Sequence, residues 1–197
     1  MLLRSSLTSP FGRKVQCAAH YLGLADRIEI VPADSLDPSD VLRRDNPLGK
    51  MPVLLLDDGR KIYDSPVILE HLDHLAGGGR ILPHAWEDRL DCLIQQALAD
   101  GMLDAGLLIL YEGRRPVSFQ HSSWLDHQRA KILRGLDALE SAPPDPTRVT
   151  AGTITIGCML TYLDRRKPVD WRVSHPALVA WLDVFLGATP AFNKILT

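Results

Sequence analysis

Two serines each stand directly before a proline, Ser9-Pro10 and Ser65-Pro66, and a third proline, Pro52, follows Met51 ahead of the apolar run Val53-Leu54-Leu55-Leu56. Ser before Pro reads as a helix start, the serine as N-cap and the proline at the first helical position. A helix N-terminus presents unpaired N–H groups and positive potential, so it suits an anion. Asp64, just outside one of these starts, suits an ammonium group. The extended backbone that Pro52 imposes on Met51 leaves that residue's N–H and C=O free to pair with a peptide-like ligand, as a strand would. The Ser9 hydroxyl has one donor and two acceptor positions, so it can cap a helix and still donate to an anion. Brought together, these residues suit a small peptidic molecule carrying a carboxylate and an amine, with a further anionic centre near Ser9.

The elements that must position them follow from turn and period signals. Met1–Arg4 reads as a first strand. Phe11, Val15, Ala18 and Leu22 share one helical face, with Arg13 and Lys14 off it, and Gly23 stops the helix. Ile28–Val31 reads as a strand ended by Pro32, and Asp37-Pro38 as the start of a short helix with Asp40 near its N-terminus. Asn46-Pro47-Leu48-Gly49 is turn chemistry, and Asp57-Asp58-Gly59 joins the apolar run to a return strand, Lys61-Ile62-Tyr63. Helix Pro66–Ala76, with Ile68, Leu72 and Leu75 on one face, closes a β-α-β-α-β-β-α order: a mixed sheet with helices on its faces. After a linker at Arg80–Pro83, and from Trp86 on, every pattern is helical. Leu90, Ile94, Ala97, Gly101, Ala105 and Leu108 mark one face of a long helix, whose Gly101 and Gly106 suggest close approach of another backbone. Ser123, Thr150, His175 and Thr189 open the helices that follow, and Ala142–Pro146 is a Pro-rich loop.

With 197 residues, 46% of them hydrophobic, the chain suits one or two domains with a real core. A net charge of −2 and the lack of any Lys/Arg run give no footprint for nucleic acid. The 3 cysteines, Cys17, Cys92 and Cys158, form no C-x-x-C pair, so neither a dithiol nor a zinc knuckle is encoded, and the sparse odd count fits a reducing compartment. No apolar segment of signal-peptide length opens the sequence, and no stretch reads as long enough to span a bilayer, so the expectation is a soluble, cytoplasmic protein without a membrane role.

Ser-Pro-Phe-x-Arg-Lys at Ser9–Lys14, Asn-Pro-Leu-Gly-Lys-Met-Pro-Val at Asn46–Val53 and Asp-Ser at Asp64-Ser65 resemble the glutathione S-transferase family of the cytosolic type, and its small bacterial members above all. The resemblance spans the whole chain. It implies a thioredoxin-like N-terminal domain over residues 1–79 and an all-helical C-terminal domain over 85–197. It implies an enzyme of detoxification that binds glutathione as co-substrate and conjugates it to a small hydrophobic electrophile, as a homodimer and without a metal. On this resemblance Ser9 faces and stabilises the glutathione thiolate, and Phe11 touches the thiol or the second substrate. Pro52 is a cis-proline, and Met51 pairs its backbone with the cysteinyl part. Asp64 and Ser65 hold the γ-glutamyl amine and carboxylate, and Lys50 lies near the glycyl end or that carboxylate.

Related subgroups carry Cys where this chain has Ser9. Serine cannot form a mixed disulfide, which favours conjugation over thiol-disulfide exchange. Thr8 is an alternative partner for the thiol. The family's internal helix opens Ser/Thr-x-x-Asp, and Thr150-Ala151-Gly152-Thr153 lacks the Asp, a weakened capping box worth ~1 kcal/mol. The plainer readings are that Ser9 is only an N-cap, Lys50 a solvated side chain and Asp64 a favourable charge at a helix start. His71 and His74 read as a solvated face rather than a metal site, Gly77–Gly79 as a linker rather than a phosphate loop, and Tyr111, Trp124 and Tyr162 as core or as lining for a second-substrate pocket. No G-x-S-x-G or H-E-x-x-H motif is present. The rivals to conjugation are a non-catalytic glutathione-binding or regulatory protein of the same fold, and a glutathione-dependent isomerase or dehalogenase.

Overall fold

The structure, a computed structural model, describes residues 1–196. Contacts divide the chain into two units, Met1–Arg89 and Leu90–Thr197. The first contains β1 (Leu2–Ser5), α1 (Pro10–Tyr21), β2 (Glu29–Pro32), α2 (Leu42–Asp45), β3 (Val53–Leu55), β4 (Lys61–Ile62) and α3 (Ser65–Leu75). This is the β-α-β-α-β-β-α order expected. The sheet runs β2-β1-β3-β4, with β1 and β2 parallel and the other pairs antiparallel. Strand alternation sends Val53 and Leu55 toward α2, where Val53 packs with Ala33 and Leu42, and sends Leu54 to the opposite face.

Local chemistry explains the connections. Gly59 at φ +86 closes the β3–β4 hairpin, with Leu56 donating to the Arg60 carbonyl at 2.9 Å. Segment 79–81 is tied to the end of α3: the buried Asp73 carboxylate accepts the N–H groups of Gly79, Arg80 and Ile81 at 2.8, 3.0 and 2.8 Å.

Several expectations are corrected here. No helix opens at Pro38. Asp37 accepts the Ser39 N–H and hydroxyl, Asp40 accepts the N–H groups of Asp34 and Leu42, and these side-chain turns delay the helix to Leu42. Lys14 is fully buried rather than off the packed face, with its ammonium 5.5 Å from the centre of the Phe11 ring. Leu75 is exposed, while Ile68 and Leu72 are buried.

The second unit takes most of α4 (Trp86–Glu112) with α5 (Ser122–Ser141), α6 (Ala151–Arg166), α7 (Pro176–Ala188) and α8 (Pro190–Leu196). Its centre is α6, buried continuously from Ala151 to Leu163. The capping box of α6 is complete, against expectation. Thr150 Oγ1 accepts the Thr153 N–H at 3.1 Å, and Thr153 Oγ1 accepts the Thr150 N–H at 2.8 Å, so a hydroxyl does what the missing carboxylate would. Ser123 is inside α5 rather than its cap. The cap is His121, whose Nδ1 lies 3.0 Å from Ser123 Oγ.

The long helix turns a different face inward from the one expected. Its buried residues include Cys92, Ala99, Met102, Leu103, Ala105 and Gly106, whereas Leu90, Ile94, Ala97, Gly101 and Leu108 are exposed, Ile94 by 56%. Both faces are apolar and both carry small residues, and the inward one meets α6 closely at Gly106. A Cβ on Gly106 would stand 2.9 Å from the Tyr162 ring of α6, so a side chain, not a backbone, makes the close approach. By length and composition this helix is also long and apolar enough to cross a membrane, which corrects the expectation that no stretch is.

Candidate functional site

Strand register brings the separate motifs to one end of the sheet. Arg4 pairs with Val53 at the end of β1 and the start of β3, and Leu54 pairs with Ile62 near the end of β4. The loop from Ser5 to Ser9, the Met51-Pro52 step and the Asp64-Ser65 helix start therefore all leave the sheet at the same end. The sequence anticipates this grouping.

At α1, Ser9 is the N-cap and is 9% exposed. Its Oγ accepts the Gly12 N–H at 3.1 Å, and its carbonyl accepts the Arg13 N–H at 3.0 Å. Among the described residues its own hydroxyl donates to none. Gly12 is there because nothing larger fits: a Cβ would fall 1.8 Å from the buried Ser5 Oγ. Thr8 is exposed and precedes the cap, and Phe11 is half-buried on the first turn.

The Met51-Pro52 peptide is cis. Pro52 is buried, and Met51 is partly buried against the Ala33, Leu42 and Val53 cluster. Neither the N–H nor the C=O of Met51 has a hydrogen-bonding partner among the described residues. Lys50 is exposed, and its part in the loop is its carbonyl. That carbonyl accepts the Asn46 side-chain amide at 2.8 Å, while Asn46 Oδ1 accepts the Leu48 N–H at 3.0 Å and the Asn46 carbonyl accepts the Gly49 N–H at 2.8 Å. Asn46 is 2% exposed and spans the whole turn that delivers Met51.

At α3 the helix begins one residue earlier than expected. Asp64, with extended backbone at φ −91 and ψ −162, is the N-cap, Ser65 the first helical residue and Pro66 the second. The exposed Asp64 side chain makes no capping bond, and the buried Ser65 hydroxyl is freed from capping. Among the described residues the first-turn N–H groups of Ser65 and Val67 have no partner, and Pro66 has no N–H.

A further group supports the site and was missed in the sequence. Asp45, buried beside Asn46, binds Arg4 of β1 and takes the Lys61 ammonium of β4 at 2.9 Å. Burial would raise its carboxyl, but hydrogen bonds from Lys61 and Arg4, with their charges, outweigh that and hold it below its ordinary value. The pairing is between distant segments, so no local signal announces it. On α3, desolvation and the charges of Arg60 and His74 lower the His71 pKa. Among the described residues no group of three His, Cys, Asp or Glu could hold a metal ion.

Comparison with known proteins gives consistent results. Residues 8–75 match the glutathione S-transferase N-terminal domain, and residues 122–184 the C-terminal domain. The chain is 36% identical over 184 residues to the uncharacterized GST-like protein YibF of Escherichia coli (strain K12), covering 91% of this chain and 90% of that protein. Among solved structures, a glutathione transferase family member from Pseudomonas fluorescens Pf-5 with bound glutathione is 36% identical, with a TM-score of 0.87 over 95% of this chain and 97% of that one. A glutathione S-transferase from Methylobacterium radiotolerans in complex with glutathione sulfonate is 34% identical, with a TM-score of 0.90 over 99% of this chain and 93% of that one.

Proposed function

The chain belongs to the glutathione S-transferase family, and on that footing we propose that it is a glutathione transferase that conjugates glutathione to a small hydrophobic electrophile. The observation that carries the reading is Met51: a residue before a cis-proline with both backbone polar groups unpaired, at the sheet end that also holds two helix N-termini. An extended cysteinyl backbone pairs with Met51. The γ-glutamyl carboxylate takes the open N–H groups and hydroxyl of Ser65, and its ammonium takes Asp64. Lys50 meets an outer carboxylate of the tripeptide, and Phe11 borders the sulfur.

Ser9 then supplies the chemistry. Its oxygen is engaged by the Gly12 N–H, which leaves its hydrogen for the sulfur. A hydrogen bond to a charged group is worth about 1.5–3 kcal/mol. The positive end of α1 adds about 0.3–1 kcal/mol. At about 1.36 kcal/mol per unit, the two lower the thiol pKa by roughly one to three units, the hydroxyl contributing more. The thiolate attacks the electrophile, the C–S bond forms as the leaving group departs with its electron pair, and the thiol proton passes to solvent.

The exposed apolar face of α4, with Leu90, Ile94 and Leu108, supports a homodimer. Three buried cysteines, none of them joined in a disulfide, support residence in the reducing cytoplasm.

The test is a calorimetric titration with glutathione, followed by turnover against a panel of electrophiles. Ser65→Ala weakens binding, while Ser9→Ala lowers turnover far more than binding. No binding at millimolar glutathione overturns the reading, and binding without turnover across the panel favours the regulatory rival.

A further inference from the structure

The loop that delivers Ser9 runs from the end of β1 to α1 and lies largely in solvent. Ser5 is buried, its carbonyl accepting the Ala33 N–H at 2.9 Å at the end of the sheet, but Leu7 is 83% exposed and Thr8 is exposed. The Ser9 N–H folds the loop back by donating to the Ser6 carbonyl at 3.1 Å. The Arg13 side chain then reaches back six residues, and its Nε donates to the Leu7 carbonyl at 2.8 Å. The Arg13 backbone N–H donates to the Ser9 carbonyl at 3.0 Å. One residue therefore grips the chain on both sides of Thr8, through Leu7 before it and Ser9 after it.

The Ser9 hydroxyl depends on that grip. Its oxygen is held by the Gly12 N–H, so the direction of its own hydrogen follows the backbone of residues 7–9. A hydrogen bond weakens steeply as its angle closes. Arg13 is also out of place by local rules. The first turn of α1 holds no acidic residue, and Arg13 stands at the fourth helical position. A cation there opposes the helix dipole, which favours anions at an N-terminus. Arg13 is only half-buried, so core packing does not account for it. Residues that break a local rule are expected where a functional site needs them.

On the footing that the chain is a glutathione transferase, we infer that Arg13 is a positioning residue for that reaction: by holding the Leu7 carbonyl it fixes the loop that aims the Ser9 hydroxyl at the glutathione sulfur. Arg13 acts through Ser9, and it is the Nε–H bond rather than the charge that carries the effect.

Arg13→Gln and Arg13→Met separate the bond from the charge. Gln Nε2 stands as many bonds from the backbone as Arg Nε, so it can donate to Leu7 without a charge, whereas Met has the length and no donor. The readout is a pH titration of the ultraviolet thiolate absorbance of glutathione bound to the full chain, with kcat, KM and melting curves beside it. Ser9→Ala moves the titration midpoint up by about one pH unit or more. Arg13→Met moves it up by about half a unit, about a threefold loss in the thiolate equilibrium. Its kcat near neutrality falls by a similar factor, KM for glutathione changes little, and turnover recovers as pH rises. Arg13→Gln keeps the wild-type midpoint. The double variant of Ser9→Ala with Arg13→Met titrates like Ser9→Ala alone, because the hydroxyl that Arg13 aims is gone. A merely structural Arg13 lowers the melting temperature and leaves the midpoint in place. With Ser9→Ala still shifting the midpoint, an unmoved midpoint in Arg13→Met, a Gln variant that titrates like the Met one, or additive shifts in the double variant overturns this inference alone. No bound thiolate in the unaltered chain, or no shift in Ser9→Ala, overturns the transferase reading and this inference with it.

Discussion

The side-chain amide of Asn46 donates to the Lys50 carbonyl at 2.8 Å, spanning the turn one residue before Met51. With the Leu48 N–H on its other side-chain atom, Asn46 converts a loop into a fixed approach to the cis-proline. Preorganised backbone binds more tightly because less ordering entropy is lost on association.

Asn46→Ala is therefore expected to raise the glutathione Kd about tenfold, from hydrogen bonds worth about 0.5–1.5 kcal/mol each. Asn46→Asp keeps the acceptor for Leu48 but sets a carboxylate against the Lys50 carbonyl, and it should be no better. Calorimetry of both variants, beside their melting curves, checks this. A loss of stability with unchanged glutathione affinity would leave Asn46 as a structural residue only.

Asp45 makes acid sensitivity specific. Its folded pKa lies below the unfolded one, about 3.9, so its contribution is complete above that pH and is lost as pH falls through the lower folded value. Asp45→Asn should cost about 1–3 kcal/mol at neutral pH by loosening Arg4 and Lys61. The gap between variant and wild type should narrow as pH drops from 5 toward 2.5. Denaturant midpoints across that range measure it, and parallel curves would refute it.

Thr153→Ala removes the hydroxyl that both accepts the Thr150 N–H and donates to the Arg148 carbonyl at 2.9 Å. A loss of about 1–2 kcal/mol is expected by denaturant unfolding. Thr153→Asp restores the acceptor and should recover part of that loss.

Ile94→Glu places a charge in the exposed apolar face of α4. Light scattering should show the wild type at twice the chain mass at micromolar concentration and the variant at the mass of one chain, with its melting curve still cooperative. A wild-type monomer would remove the homodimer.

The sheet and the cluster of motifs around it were legible because each signal is local. Ser9-Pro10, Asp58-Gly59 and Met51-Pro52 constrain their own backbone whatever surrounds them. What was not legible depends on partners far along the chain. Nothing near Lys14 says that its stem is buried, and nothing near Asp45 points to Arg4 and Lys61. The period of α4 was readable, but period alone does not tell which of two apolar faces turns inward. Leu90, Ile94 and Leu108 are left exposed, while the face holding Met102, Leu103 and Gly106 is buried, Gly106 against the Tyr162 ring. At Asp64 and Ser65 the error was one residue, the difference between a serine spent on capping and one free for a ligand.

The neutral capping box of α6 has one more consequence. An aspartate at position 153 would carry charge and a titration with it, gaining from the helix dipole near neutrality and losing that gain in acid. Two threonine hydroxyls have no such dependence. The helix at the centre of the second unit thus keeps its first turn through a pH range in which the Arg4–Asp45–Lys61 cluster of the first unit comes apart. One chain carries an acid-labile clasp beside its sheet and an acid-indifferent one at the start of its central helix.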